Sequence, residues 1–122
     1  MTDFQAAKHI VRKYFEAVDS SASIDGLVAA DYVWRGFHPF NEIRGGEAVS
    51  TRFWQPLHAA LTSLQRRLDI FMAGDNSIEG HEGVWVASMG HLMGLFDSPW
   101  LGIQPTGKIA MLRYAEFHKV EN

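Results

Sequence analysis

Apolar residues recur at Phe4, Ala7, Ile10, Val11, Tyr14, Phe15 and Val18, the three-and-four spacing of one helix face. Residues 3–18 are therefore predicted to form an amphipathic helix. Thr2 and Gln5 stand three apart ahead of it as a capping box, and the polar run from Asp19 to Ser23 stops it. A short helix over 24–30 would pack Leu27 and Val28. The segment YVWRGFHPF (32–40) reads as a strand that ends at His38-Pro39, where proline removes a ladder donor. The pair Gly45-Gly46 opens a third helix with Val49, Phe53, Trp54, Leu57 and Leu61 on one side. Pro56 lies inside that pattern and predicts a kink or a split.

From Arg66 onward the spacing changes to that of strands, over about 66–74, 83–96 and 107–120. The polar segment 74–80 turns the chain between the first two; the longer segment 97–107, with two prolines and two glycines of its own, joins the last two. Helices followed by long antiparallel strands predict an α+β domain. The expected architecture is a curved, cone-shaped antiparallel sheet with three N-terminal helices on its concave face. The mouth of such a cone is a natural place for a small molecule.

Composition narrows the functional classes. At 122 residues the chain is one domain, and 47% apolar with 20% charged residues is ordinary for a folded protein. A formal net charge of -3 gives no footprint for nucleic acid or for an anionic membrane. Without cysteine there is no disulfide, thiolate chemistry or cysteine-bound zinc. The N-terminal stretch has no apolar run, so it reads as neither a signal peptide nor a membrane span, and a cytoplasmic location is expected. The six histidines form no metal-binding spacing. No glycine-rich phosphate loop or nucleophile elbow is present either, so neither metal nor cofactor is expected.

Several motifs together resemble the SnoaL-like polyketide cyclases of the nuclear-transport-factor-2-like superfamily. They are SMGHLMGLF (88–96), the loop ending Pro105-Thr106-Gly107-Lys108, the strand AEFHKVEN (115–122) and the helix opening Gly45-Gly46-Glu47. The resemblance implies the cone fold and carbon-centred acid/base chemistry, in the cyclases an intramolecular aldol condensation. It places His91 and Glu116 at the family's central positions, with glutamate where the cyclases carry aspartate. The family also continues into one more strand, which residues 1–122 are expected to lack, so a homodimer that covers the open sheet edge is expected.

Strand alternation sorts the candidates. His91 shares a face with Trp85, Ala87, Met89 and Met93; it is either a core histidine or a proton carrier in an apolar slot. Glu116 shares a face with Leu112, Tyr114 and His118. It is either ion-paired or a general base whose pKa is raised by dry surroundings. His118 is its hydrogen-bond partner or a solvent-facing strand end. Trp34 reads as a pocket wall or core block, His38 as a turn residue or a lining of the mouth, and Trp54 as packing against the sheet. Trp100 is a lid or an oligomer contact. Trp34, His38, Trp54, Met89, Tyr114 and His118 form the expected substrate pocket.

The leading expectation is a cofactor-free enzyme for a small apolar carbonyl compound. Glu116 would take a proton alpha to the carbonyl and His91 would donate to the developing oxyanion. A ketosteroid-isomerase-like enzyme or an epoxide hydrolase is the second class. The hydrolase needs two carboxylates bridged by arginine, for which Asp69, Arg113 and Glu116 are the candidates. A non-catalytic binding or dimerisation module is the third, and is expected if the Glu116 and His91 side chains do not open into one cavity.

Overall fold

The computed structural model describes residues 3–121. Helix α1 (Phe4–Asp19) buries Ala7, Val11, Tyr14, Phe15 and Val18, the stripe that the spacing predicts. Its N-cap is Asp3, whose carboxylate accepts from the Gln5 and Ala6 amides at 3.0 and 3.1 Å. The capping box expected at Thr2 lies outside the described residues.

Residues 24–30 form turns rather than the expected short helix. Ile24 is fully buried, but the next residues, Asp25 and Gly26, are exposed, so the segment presents an anchor and no helical stripe. The strand expected over 32–40 is reduced to β1 (Val33–Arg35). The rest turns through a cis His38-Pro39 bond and returns as β2 (Glu42–Arg44), paired antiparallel with Trp34 opposite Ile43.

The helix opened by Gly45-Gly46 is continuous but not uniform. It runs as α2 (Gly46–Val49), a π-helical turn over Ser50–Trp54, and α3 (Gln55–Ala60). In the wide turn the Gln55 amide reaches back five residues to the Ser50 carbonyl. Pro56 follows in the first turn of α3, where its missing N–H leaves no gap. The wide turn is the structure's answer to the predicted kink. Val49, Phe53, Trp54 and Leu57 are buried, while Leu61 already begins the sheet. The helical layer is thus α1 and one segmented helix, not three separate helices.

The sheet has the order β3 (Leu61–Asn76), β4 (Gly83–Phe96), β5 (Ile109–Val120), all antiparallel. Helices cover one face. There Val86 pairs with His118, Ser88 with Glu116, Gly90 with Tyr114 and Leu92 with Leu112. The outer face carries Trp85 with Lys119, Ala87 with Phe117, Met89 with Ala115 and His91 with Arg113. β3 changes phase at a bulge: Leu68 pairs with Gly90 but Ile70 with Met89, leaving Asp69 extra. Arg66 therefore faces inward opposite Leu92, whereas Ile70 and Met72 face outward.

Gly90 makes the bulge possible. A Cβ at that position would lie 1.9 Å from the Arg67 carbonyl oxygen. A Cβ at Gly94 would meet Leu61 at 2.9 Å. Both glycines of SMGHLMGLF thus permit close approach of β3, one of the two roles their type suggests. Gly90→Ala should lower unfolding stability in urea by about 1–3 kcal/mol, the cost of forced overpacking. Gly74→Ala, with nothing within 4 Å of the new methyl, should be neutral or mildly stabilising by comparison.

Candidate functional site

The inner face concentrates charge at one place. Arg66, on β3, has a side chain only 5% exposed. Its Nε donates to both Asp19 carboxylate oxygens at 3.1–3.2 Å, at the last residue of α1. One terminal nitrogen lies 3.6 Å from Glu116 Oε1 on β5. The guanidinium lies over the Phe15 ring at 3.9 Å and the Tyr114 ring at 4.7 Å, so aromatic faces replace the water that burial removes. Burial works to lower the Arg66 pKa, but Glu116 and then Asp19 outweigh it, and the group is held firmly cationic. Both terminal nitrogens are buried without a hydrogen-bond partner.

Glu116 has a second contact, to His118 Nε2 at 2.9 Å. The two side chains are 21% and 17% exposed, so this dyad meets solvent while Arg66 behind it does not. The His118 ring packs on Tyr14 at 5.1 Å and Phe15 at 5.7 Å. Trp54 Nε1 donates to the Tyr14 hydroxyl at 3.2 Å, and Tyr14 and Tyr32 share a hydrogen bond of 3.3 Å. A buried hydroxyl needs an acceptor for its proton. Because indole can only donate, Tyr14 accepts from Trp54 and passes its own proton toward Tyr32. That leaves the half-buried Tyr32 hydroxyl as the donor at the end of the chain. Burial foremost raises the pKa of both tyrosines, Tyr14 the more strongly, and the Glu116 charge adds to each. They are neutral donors over the physiological range.

His91 is not part of this site. It faces outward between Arg67 and Arg113, with Nδ1 3.3 Å from Asp69 on the bulge. The expected meeting of His91 with Glu116 does not occur, because their residues occupy opposite faces of one sheet; this is the outcome expected of a binding or dimerisation module, and it removes the His91–Glu116 pair as the basis of an enzyme. His118 takes the place beside the carboxylate. Met89 lies on the outer face as well, and Arg113 contacts its sulfur at 3.8 Å. The expected carboxylate–arginine bridge through Arg113 fails for the same reason, whereas Arg66, which the sequence offers only as the start of a strand, lies between Asp19 and Glu116.

Of the expected pocket walls, Tyr114 and Trp54 flank Arg66, at 4.7 and 5.8 Å from the guanidinium carbon. Tyr114 is held by Ser88 at 2.9 Å. Trp34 instead joins an aromatic cluster, 4.6 Å from Phe53 and 6.0 Å from Phe40, and Trp100 stacks on Phe40 at 6.4 Å. His38 is exposed in the cis turn. Trp54 also borders a cleft of about 300 Å³, lined by Val18, Asp25, Glu47, Ser50 and His58 among others. Among the described residues no group of three or more potential ligands could hold a metal ion, and no helix is long and apolar enough to cross a membrane.

No family model matches the chain, and none of the curated proteins does. A solved structure does superpose on all of it. This is the crystal structure named "Putative SnoaL-like polyketide cyclase" from Jannaschia sp. CCS1, with a TM-score of 0.72. The chain has the SnoaL-like fold. The match covers 100% of this chain and 84% of that one, at 16% identity, so what the two share is backbone architecture. The inner-face positions of Glu116, His118 and Tyr114 agree with the alternation of their strand, while His91 and Met89 lie on the other face and Trp34 and His38 lie away from the charge centre.

Two outcomes follow from the charge centre. Arg66→Met should cost about 2–4 kcal/mol in urea unfolding, since it leaves two carboxylates facing aromatic rings; their partial exposure keeps the loss below that of a fully buried pair. Alkali should act through the tyrosines. Their folded pKa values lie above the unfolded value of about 10, so their stabilising contribution is complete below that pH and is lost as pH rises toward the folded values. Tyrosinate absorbance at 295 nm should show two tyrosines resisting ionisation until the fold melts, and Tyr32→Phe should reduce the alkaline loss of stability.

Proposed function

We propose that the chain is a cofactor-independent acid/base enzyme acting on a small apolar carbonyl compound, by intramolecular aldol cyclisation or a related isomerisation. The observation that carries this reading is the Glu116–His118 dyad, bonded at 2.9 Å and reachable from solvent on the helix-covered face. Glu116 removes a proton alpha to the carbonyl, and His118, within reach of the same carboxylate, relays it. The Tyr32 hydroxyl, fed by the Trp54–Tyr14 chain, donates to the enolate oxygen. Arg66 does not touch the substrate; its charge holds the carboxylate in place and offsets the negative charge that develops nearby. The SnoaL-like fold supports the choice of a carbonyl substrate, because the solved neighbour is named for polyketide cyclisation.

A second reading rests on the same arginine. Asp19, Arg66 and Glu116 form a carboxylate–arginine–carboxylate bridge, the arrangement required to position water for epoxide opening. Isotopes separate the two. With a β-keto ester in deuterium oxide, the acid/base enzyme should wash deuterium into the alpha position. With an epoxide in ¹⁸O water, the hydrolase should deliver ¹⁸O into a diol. Glu116→Gln should lower exchange at least about a hundredfold while leaving binding of the keto ester unchanged, and Tyr32→Phe should lower it by about tenfold or more. Exchange that is undiminished in Glu116→Gln defeats the assignment. Ligand binding with no turnover by either assay points to a binding module.

A further inference from the structure

Arg66 is tied to its two carboxylates unequally. Its Nε donates to both Asp19 oxygens at 3.1 and 3.2 Å, whereas the terminal nitrogen nearest Glu116 stays 3.6 Å from Oε1, too far for a hydrogen bond. Both terminal nitrogens are buried without a partner. The forked end of the guanidinium, the part best shaped to grip a carboxylate, is thus left ungripped. Glu116 gives its short contact, 2.9 Å from Oε2, to His118 instead. We propose that Asp19 is a positioning residue for the candidate reaction, holding Arg66 back so that the cation orients Glu116 without locking to it. This inference rests on the acid/base reading above.

The end of α1 is built to serve as the fixed end of such a tether. Asp19 closes the helix, and its last turn carries Glu16 as well and no basic residue. Carboxylates at a helix C-terminus oppose the helix dipole, so nothing local to α1 favours an anion there. The group that does favour it is Arg66, brought in by β3 from 47 residues along the chain. The backbone beside Asp19 is anchored on its own account. The His58 ring of α3 donates from Nε2 to the Val18 carbonyl at 2.7 Å, and the Ser20 hydroxyl donates to the Glu16 carbonyl at 2.7 Å. The competing arrangement lies close by. Released from Asp19, the guanidinium has only to shorten the 3.6 Å gap to about 2.8 Å to bond Glu116 through both terminal nitrogens. A carboxylate gripped by that fork is stabilised as an anion, is a weaker base, and turns away from His118. The proton acceptor of the proposed reaction then becomes a structural ion pair. Asp19 prevents this by occupying Nε and drawing the guanidinium toward α1, which leaves Glu116 attracted by charge alone.

Nuclear magnetic resonance of the full chain labelled with ¹⁵N-histidine reads the tether without any substrate. In Asp19→Ala the Nε2 signal of His118 should move to the position it takes in Glu116→Gln, because the carboxylate has left the ring in both. Adding Arg66→Met to Asp19→Ala removes the captor and should return the signal toward that of the unaltered protein. With the β-keto ester, Asp19→Ala should lower kcat for deuterium exchange by about tenfold or more with KM unchanged, and the double variant should regain part of that loss. A merely structural Asp19 would lower stability, leave the His118 signal in place and gain nothing from the second substitution. An unmoved His118 signal in Asp19→Ala overturns the proposal, and so does a double variant that matches the single one. Absence of exchange in the unaltered protein defeats the acid/base reading instead, while the His118 signal still decides whether Asp19 holds Arg66 back.

Discussion

The inner face is organised by the need to keep one guanidinium out of water. Burying Arg66 is costly, and the fold meets that cost with charge and with aromatic rings together. Asp19 brings the end of α1, Glu116 brings β5, and Phe15 and Tyr114 supply ring faces on either side. The helix and both edge strands are therefore tied to one side chain. Glu116 is oriented by this tie, and it presents its other oxygen to His118. Structural charge and candidate chemistry share an atom group, so the carboxylate is held in position before any ligand arrives.

Much of this was legible in the chain, and the failures share a cause. The stripe of α1, the bounds of β4 and the shared face of Tyr114, Glu116 and His118 all follow from periodicity. Periodicity states which residues share a face, however, and not which face the helices cover. β4 is largely apolar on both sides, with Val86 and Leu92 inward and Trp85, Ala87 and Met89 outward. His91 was grouped with the right neighbours and assigned to the wrong side. Arg66 escaped notice because regular alternation puts it with Leu68, Ile70 and Met72. Only the bulge separates it from Ile70 and Met72, and nothing in the local composition marks the bulge except a polar Asp69 and a glycine far along the chain.

The two faces of the sheet divide labour along the alternation of their strands. On β5 the even-numbered positions from Leu112 to His118 carry the aromatic and charged elements of the candidate site, while the odd-numbered ones carry the apolar patch. The link between the faces is only one backbone thick. A change of packing on the outside that altered the twist of β5 would shift the spacing of Glu116 and His118 without touching either residue.

The bulge has a consequence for how the gene can vary. Asp69 is the extra residue at this bulge of β3, so the loss of its codon would give a regular ladder from Gln65 onward in which Arg66 still points inward and Ile70 and Met72 still point outward. The loss of a codon from the regularly paired stretch beyond it, between Phe71 and Asp75, would instead invert the alternation of everything on one side of the cut. Position 69 is therefore a point in this stretch of strand where chain length can change by one without exchanging interior for exterior.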